Sequence, residues 1–238
     1  MGSIKKELLS GVFYTAIAKY SGILISLIIT GVLARLISPD KFGIVAVVTV
    51  ITFFFSIFSD LGIGAAIIQN KELQQKDLNQ LFSFTVWSGC ILTLLFFLCS
   101  WPISFFYKEP SMKTITQLLA INLFFASANI VPNALLYKAK AFKFLAWRSL
   151  GVQVSGGIIA ILAALGGAGL YALIINPILS SILLFIISYQ KYPQTLEMTW
   201  GIPSIRKIFK FSAYQFIFNI INYFSRNLDK LLIGKYMG

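Results

Sequence analysis

The sequence contains no histidine. That removes imidazole as a general acid, a general base or a metal ligand. Charge is scarce as well: Lys, Arg, Asp and Glu make up 12% of the 238 residues, about half the ~25% usual in soluble domains. Apolar residues make up 58%, more than a soluble chain of this size could hide. These shortages exclude a soluble domain and point to a polytopic membrane protein. There are two cysteines, Cys90 and Cys99, nine positions apart in one apolar run. That spacing puts them on roughly opposite sides of a helix, so they are expected to be buried packing residues, with no disulfide and no metal site. Enzyme signatures are missing too. The chain has no Asp-x-Asp, phosphate-binding glycine loop, serine nucleophile elbow or zinc motif. The expectation is a protein that is not an enzyme and carries no cofactor.

What is present is a series of apolar runs separated by short basic gaps. The net charge of +12 lies in those gaps, where lysine and arginine orient membrane helices, so no nucleic-acid partner is expected. Lys5 and Lys6 precede the first run, which continues to Leu36 without a cleavage site. It therefore reads as a retained helix and not a signal peptide. At about 20 apolar residues per span, the runs give spans at 10–36, 42–69, 80–106, 114–137, 146–165 and 170–190. The sequence GGAG at 166–169 splits the longest uncharged interval into a hairpin. Together 1–190 form a six-helix lobe. Residues 191–204 form a cytoplasmic loop, and 205–238 supply the first helix of a second lobe. Helices and not barrel strands follow from stretches such as FGIVAVVTVITFFFSIF (42–58), apolar on every side. With the N-terminus inside, inner flanks carry twelve basic residues and outer flanks five, which supports that orientation. The stretch YKAKAFKFLAWRSL (137–150) alternates basic and aromatic residues. It is expected to lie along the inner surface as an anchor, or to dock a partner enzyme.

Ionisable residues deep in a membrane cost about 2.5–3.5 kcal/mol each, so each needs a reason. Lys19 and Asp60 are predicted at similar depth on adjacent antiparallel helices. They could pair as a structural bridge or jointly line a cavity. Of the eight carboxylates, only Asp60 and Asp229 look embedded. Arg226, Asp229 and Lys230 form a stripe at i, i+3, i+4, roughly 24 Å outward from Lys210. Asn219, Asn222 and Arg226 share a face at i, i+3, i+7. The stripe is expected to face Lys19 and Asp60 as a wall for an anionic headgroup; the alternative is snorkelling to the outer interface. Pro132 and Pro177 lie within spans and allow kinks.

Residues 31–69, GVLARLISPDKFGIVAVVTVITFFFSIFSDLGIGAAIIQ, carry a resemblance. They are similar to the start of polysaccharide-export flippases of the multidrug/oligosaccharidyl-lipid/polysaccharide superfamily. Arg35, Pro39, Phe42 and Gly43 match that family's turn between its first two helices. Asp60, Leu61 and Gly62, followed by Ala66, Ile67, Ile68 and Gln69, match its second element. LLYKAKAFKFLAWRSL resembles its inner loop before helix five, with Lys138 where an arginine is more usual. The resemblance covers the whole chain.

It implies two six-helix lobes rocking about a central cavity in the bacterial inner membrane. The substrate would be a lipid-linked oligosaccharide with an undecaprenyl-pyrophosphate head, taken from among the membrane lipids, with polysaccharide-assembly proteins as candidate partners. Lys19, Asn219, Asn222, Arg226 and Lys230 would contact the head. Asp60 and Asp229 would pair or couple an ion. A chain of about half the expected length is expected to be a truncated form or half of an assembly, unable to transport alone. Two alternatives remain: a cation-coupled drug exporter of the same superfamily, and a membrane polymerase or ligase of polysaccharide assembly. The latter rely on a large outer loop bearing Arg or His, which this sequence lacks.

Overall fold

The structure, a computed structural model, describes the backbone of residues 2–236 and the side chains of residue 11 and residues 13–227. Among these it is all helix, with no strand. The helices are α1 (Gly2–Leu36), α2 (Pro39–Asp60), α3 (Ile63–Gln69), α4 (Gln75–Tyr107), α5 (Ser111–Ala128), α6 (Ile130–Lys138), α7 (Phe142–Leu165), α8 (Ala172–Lys191) and α9 (Ile202–Tyr236). A short 3-10 turn (Gly169–Tyr171) precedes α8.

The chain breaks where local chemistry demands it. Ser38 is extended (φ −65°, ψ 148°) ahead of Pro39, because the proline ring excludes the helical conformation of the preceding residue. Pro39 then opens α2, where its missing N–H costs nothing. The second apolar run is not one helix. Leu61 (φ 45°) and Gly62 (φ 74°) are both left-handed, so α2 stops at Asp60 and α3 starts afresh. The fourth run is likewise broken at Asn129, with a 41° bend between α5 and α6. Pro132 lies one turn beyond Ala128 and has no N–H to give its carbonyl, which explains a bend at this point.

Five helices are long and apolar enough to cross a membrane, and the bent α5–α6 pair makes a sixth. The helix α9 is not among them; Gln215, Asn219, Asn222 and Arg226 dilute its apolar character over the described stretch. Large apolar side chains line the outside of the bundle, Leu24, Leu98 and Leu162 among them, as lipid contact requires.

Inside, one cluster joins α2, α4, α5 and α8 through Val48, Phe96, Leu119, Leu123 and Ile174. A second joins α3, α4, α6 and α9 through Ile67, Leu81, Val131 and Ile208. The helix α1 packs chiefly on α7, through Ile29, Leu33 and Ala160. Val50 and Ile57 of α2 receive Tyr223 of α9.

Three sequence expectations are corrected by this packing. Cys90 is exposed on the bundle surface and not buried in packing, because its side of α4 has no helix against it; Cys99 is half-buried, and both are free thiols. The stretch 137–150 does not lie along the surface as one element: it ends α6, turns, and begins α7. Arg148 from that stretch points inward and is buried. Its Nη1 donates to the Ser188 hydroxyl, and its Nη2 donates to Asn133 Oδ1 at 2.8 Å.

Candidate functional site

The polar residues of α9 converge with the end of α2. A cavity of about 260 Å³ lies between them, with Ser56 and Asp60 on the α2 side and Asn219, Asn222, Arg226 and Asn227 on the α9 side. Its position follows from how the two helices are joined. Tyr223 is buried between Phe53 and Phe54, and its hydroxyl donates to the Val50 carbonyl at 3.3 Å. One turn of α9 on either side of that anchor presents Asn219, Asn222 and Arg226 to the gap.

The α2–α3 break seats against α9 as well. A Cβ at Gly62 would lie 2.8 Å from the Ser212 carbonyl oxygen and 2.8 Å from Gln215 Cβ. Position 62 therefore needs glycine twice over, for its left-handed backbone and for this approach. The break also frees the first amides of α3. Asp60 Oδ1 accepts from the Gly64 N–H at 3.2 Å, so the carboxylate sits at the positive end of a helix.

Around the cavity the polar groups are only partly engaged. Asn219 Oδ1 accepts from Gln215 Nε2 at 3.0 Å, and Asn227 Nδ2 donates to the Tyr223 carbonyl at 3.0 Å. Arg226 is exposed and makes no ion pair among the described residues. The cavity thus offers a guanidinium and carboxamides on one wall, with a carboxylate on the other. That set can hold an anionic, hydroxyl-rich group, with Arg226 taking the charge in a bidentate grip.

The other predicted site residues fall elsewhere. Lys19 is exposed on α1, and it forms no ion pair with Asp60; the one pair among the described residues is Lys207–Asp77. The reason is topological, since α1 packs mainly on α7 and not along α2. Arg35 lines an apolar groove between α1 and α7 with Leu27, Val32 and Ile161. Pro39 begins α2, Phe42 packs beside the α1–α7 cluster, and a Cβ at Gly43 would meet open space. The side chains of Asp229 and Lys230 lie outside the described residues. Among the described residues no three His, Cys, Asp or Glu side chains gather to hold a metal.

Sequence reasoning overlooked a polar junction between α4 and α9. Asp77 is buried, although it is not among the carboxylates that look embedded from sequence. It accepts from the Gln74 N–H at 3.1 Å, from the Ser204 hydroxyl at 2.7 Å and from Lys207 Nζ at 2.8 and 2.9 Å. The 192–201 segment continues this attachment. Gln75, Asn79, Ser83 and Trp87 recur every four residues along one face of α4, and they bond in turn to Gln194, the Thr195 N–H, the Glu197 N–H and the Glu197 carbonyl. That four-residue period of polar groups was the available signal.

An all-helical bundle wrapped in apolar side chains, with polar groups gathered at a cleft between two helices, defines a multi-pass helical membrane protein. Residues 32–238 match the family described as "Polysaccharide biosynthesis protein", and the chain belongs to that family. It is 27% identical to the teichuronic acid biosynthesis protein TuaB of Bacillus subtilis (strain 168) over 242 residues, covering 100% of this chain and 50% of that protein. It is 24% identical to the lipopolysaccharide biosynthesis protein WzxC of Escherichia coli (strain K12), covering 99% of this chain and 48% of that protein. It is 20% identical to the succinoglycan biosynthesis transport protein ExoT of Rhizobium meliloti (strain 1021), covering 87% of this chain and 42% of that protein. The chain thus spans about half the length of these curated relatives. No solved structure matches it.

Proposed function

We propose that the chain is part of a transporter that flips a lipid-linked oligosaccharide of the undecaprenyl-pyrophosphate type across the bacterial inner membrane, with its N-terminus cytoplasmic. In this reading 1–190 form one lobe, 191–204 the inner loop, and the helix from 205 belongs to a second lobe. The activity belongs to the whole transporter, to which this chain contributes one wall of the pathway. It performs no covalent chemistry on the glycan.

The observation that carries the proposal is the α2–α9 cavity, where Asn219, Asn222 and Arg226 face Asp60. Arg226 is exposed at the rim of this cavity, so its guanidinium is open to an incoming anion. A diphosphate offers paired oxygens that match its fork. Asn219 and Asn222 can each donate and accept, which suits sugar hydroxyls. Asp60 sits where a cation could neutralise it, which would let an ion gradient reset the empty cavity. Membership of the polysaccharide family and a relative named for succinoglycan transport support the same reading.

The test is surface polysaccharide in the native bacterium. Arg226→Ala lowers it at least tenfold with unchanged protein in the membrane, and Arg226→Lys restores part of it. Normal export by Arg226→Ala would overturn the assignment.

A further inference from the structure

A second pocket shares no lining residue with the α2–α9 cavity. At the end of the bundle where α6 turns into α7, a pocket of about 720 Å³ is lined by Lys140, Lys143 and Lys191, with Tyr14, Phe142 and Trp147 around them. We propose that this pocket binds the headgroup of an anionic phospholipid from the leaflet it faces. The proposal needs only the membrane location of the bundle and does not depend on the transport reading.

Three separate elements build the pocket. Lys140 stands in the α6–α7 turn, Lys143 in the first turn of α7, and Lys191 at the last residue of α8. Among the described residues no carboxylate lines the pocket, and none of the three lysines forms an ion pair. Three like charges around one pocket repel one another, and a phosphate placed among them reverses that cost.

The turn fixes where Lys140 stands: the Ala141 N–H bonds back to the Leu136 carbonyl at 3.0 Å, as at a helix end closed by a left-handed residue. Lys140 is left-handed (φ 54°), a conformation disfavoured for any residue with a Cβ. A glycine would relieve the strain but would remove one of the cations. The wall supplied by α1 is equally fixed. Gly11 lets the Phe142 ring approach so closely that a Cβ there would meet Cδ2 at 2.7 Å, and this contact holds Tyr14 beside the turn.

The apolar surroundings select a lipid over a soluble anion. Trp147 is 67% exposed at the pocket's edge, as an interfacial tryptophan would be. Below it, Val154, Ile158 and Leu162 continue one exposed face of α7, and Ile17 and Leu24 line the neighbouring face of α1. A phosphodiester among the lysines would leave acyl chains lying along this surface. A free phosphate would use only the charges.

The experiment measures lipid carried through purification. The full chain is extracted in mild detergent from vesicles of equal phosphatidylglycerol and phosphatidylcholine, and bound lipid is counted by mass spectrometry. Phosphatidylglycerol is retained in preference. Each lysine in contact with the bound phosphate is worth about a fivefold change, so the triple variant Lys140→Gln/Lys143→Gln/Lys191→Gln reduces retention on the order of a hundredfold. The matching Arg triple keeps it, which separates charge from folding. Removing equal charge elsewhere, with Lys71→Gln/Lys76→Gln/Arg206→Gln, leaves retention within about threefold of the parent. Equal retention of the two lipids overturns the proposal, as does equal loss in the two Gln triples. Full displacement of phosphatidylglycerol by millimolar inorganic diphosphate also overturns it, by assigning the pocket to a soluble anion.

Discussion

Asp77 and Lys207 form the charged pair of the α4–α9 junction, and the two are not equivalent. The Asp77 side chain is 8% exposed, while that of Lys207 is 53% exposed. Half-solvated Lys207 gains little from the pair, about 0.5 kcal/mol after screening. Asp77 also takes the Ser204 hydroxyl and caps α4 through the Gln74 amide. Losing a charge-assisted bond and a cap costs about 3 kcal/mol together. At ~2–4 °C per kcal/mol for a chain of this length, Asp77→Ala lowers the unfolding midpoint by roughly 9 °C and Lys207→Ala by about 2 °C. The assay is thermal unfolding of the purified protein in one detergent, with the double mutant completing a cycle. The Asp77–Lys207 coupling comes out below about 1 kcal/mol. Equal losses in the two single mutants would refute the reasoning, because they would make the ion pair and not the buried hydrogen bonds the source of stability.

Two glycine substitutions test the backbone reading of α2 and of the break that follows it. Gly62→Ala adds a Cβ 2.8 Å from the Ser212 carbonyl on a left-handed backbone, so it destabilises by about 2 kcal/mol or more. Gly43→Ala, within α2 with open space around it, stabilises by about 0.5 kcal/mol. Paired midpoints measured side by side check both signs. Arg148 is buried with amide and hydroxyl partners but no carboxylate among the described residues; Arg148→Met therefore leaves stability unchanged or raises it by up to about 2 kcal/mol. A comparable drop would show that its hydrogen bonds outweigh its desolvation.

How far the sequence could be read depended on whether each feature was local. An all-helical membrane bundle was legible because apolar runs between basic gaps leave no other class. The shared face of Asn219, Asn222 and Arg226 was legible from spacing alone, and the structure sets that face against Asp60. Lys19 was not placeable, because its surroundings depend on α1 choosing α7 as its partner. The α2–α3 break was hidden in a leucine: Gly62 alone signals a turn, but a left-handed Leu61 beside it does not follow from propensity. The bend before Pro132 had its signal in the proline. Asp77 was misread because its partner Lys207 lies 130 positions away, and nothing near it in the chain announces burial. Arg148 was misread for the same reason, as Ser188 lies 40 positions distant.

The central claim is that the α2–α9 cavity receives the head of a lipid-linked glycan. Photo-crosslinking in the native membrane tests it most directly, with a photoreactive amino acid at position 222 in the cavity and at position 24 on the lipid-facing surface of α1. The account predicts a glycan-bearing lipid adduct at 222 that is absent at 24 and lost on adding Arg226→Ala. An equal yield at both positions, or an adduct at 222 that survives Arg226→Ala, would contradict it.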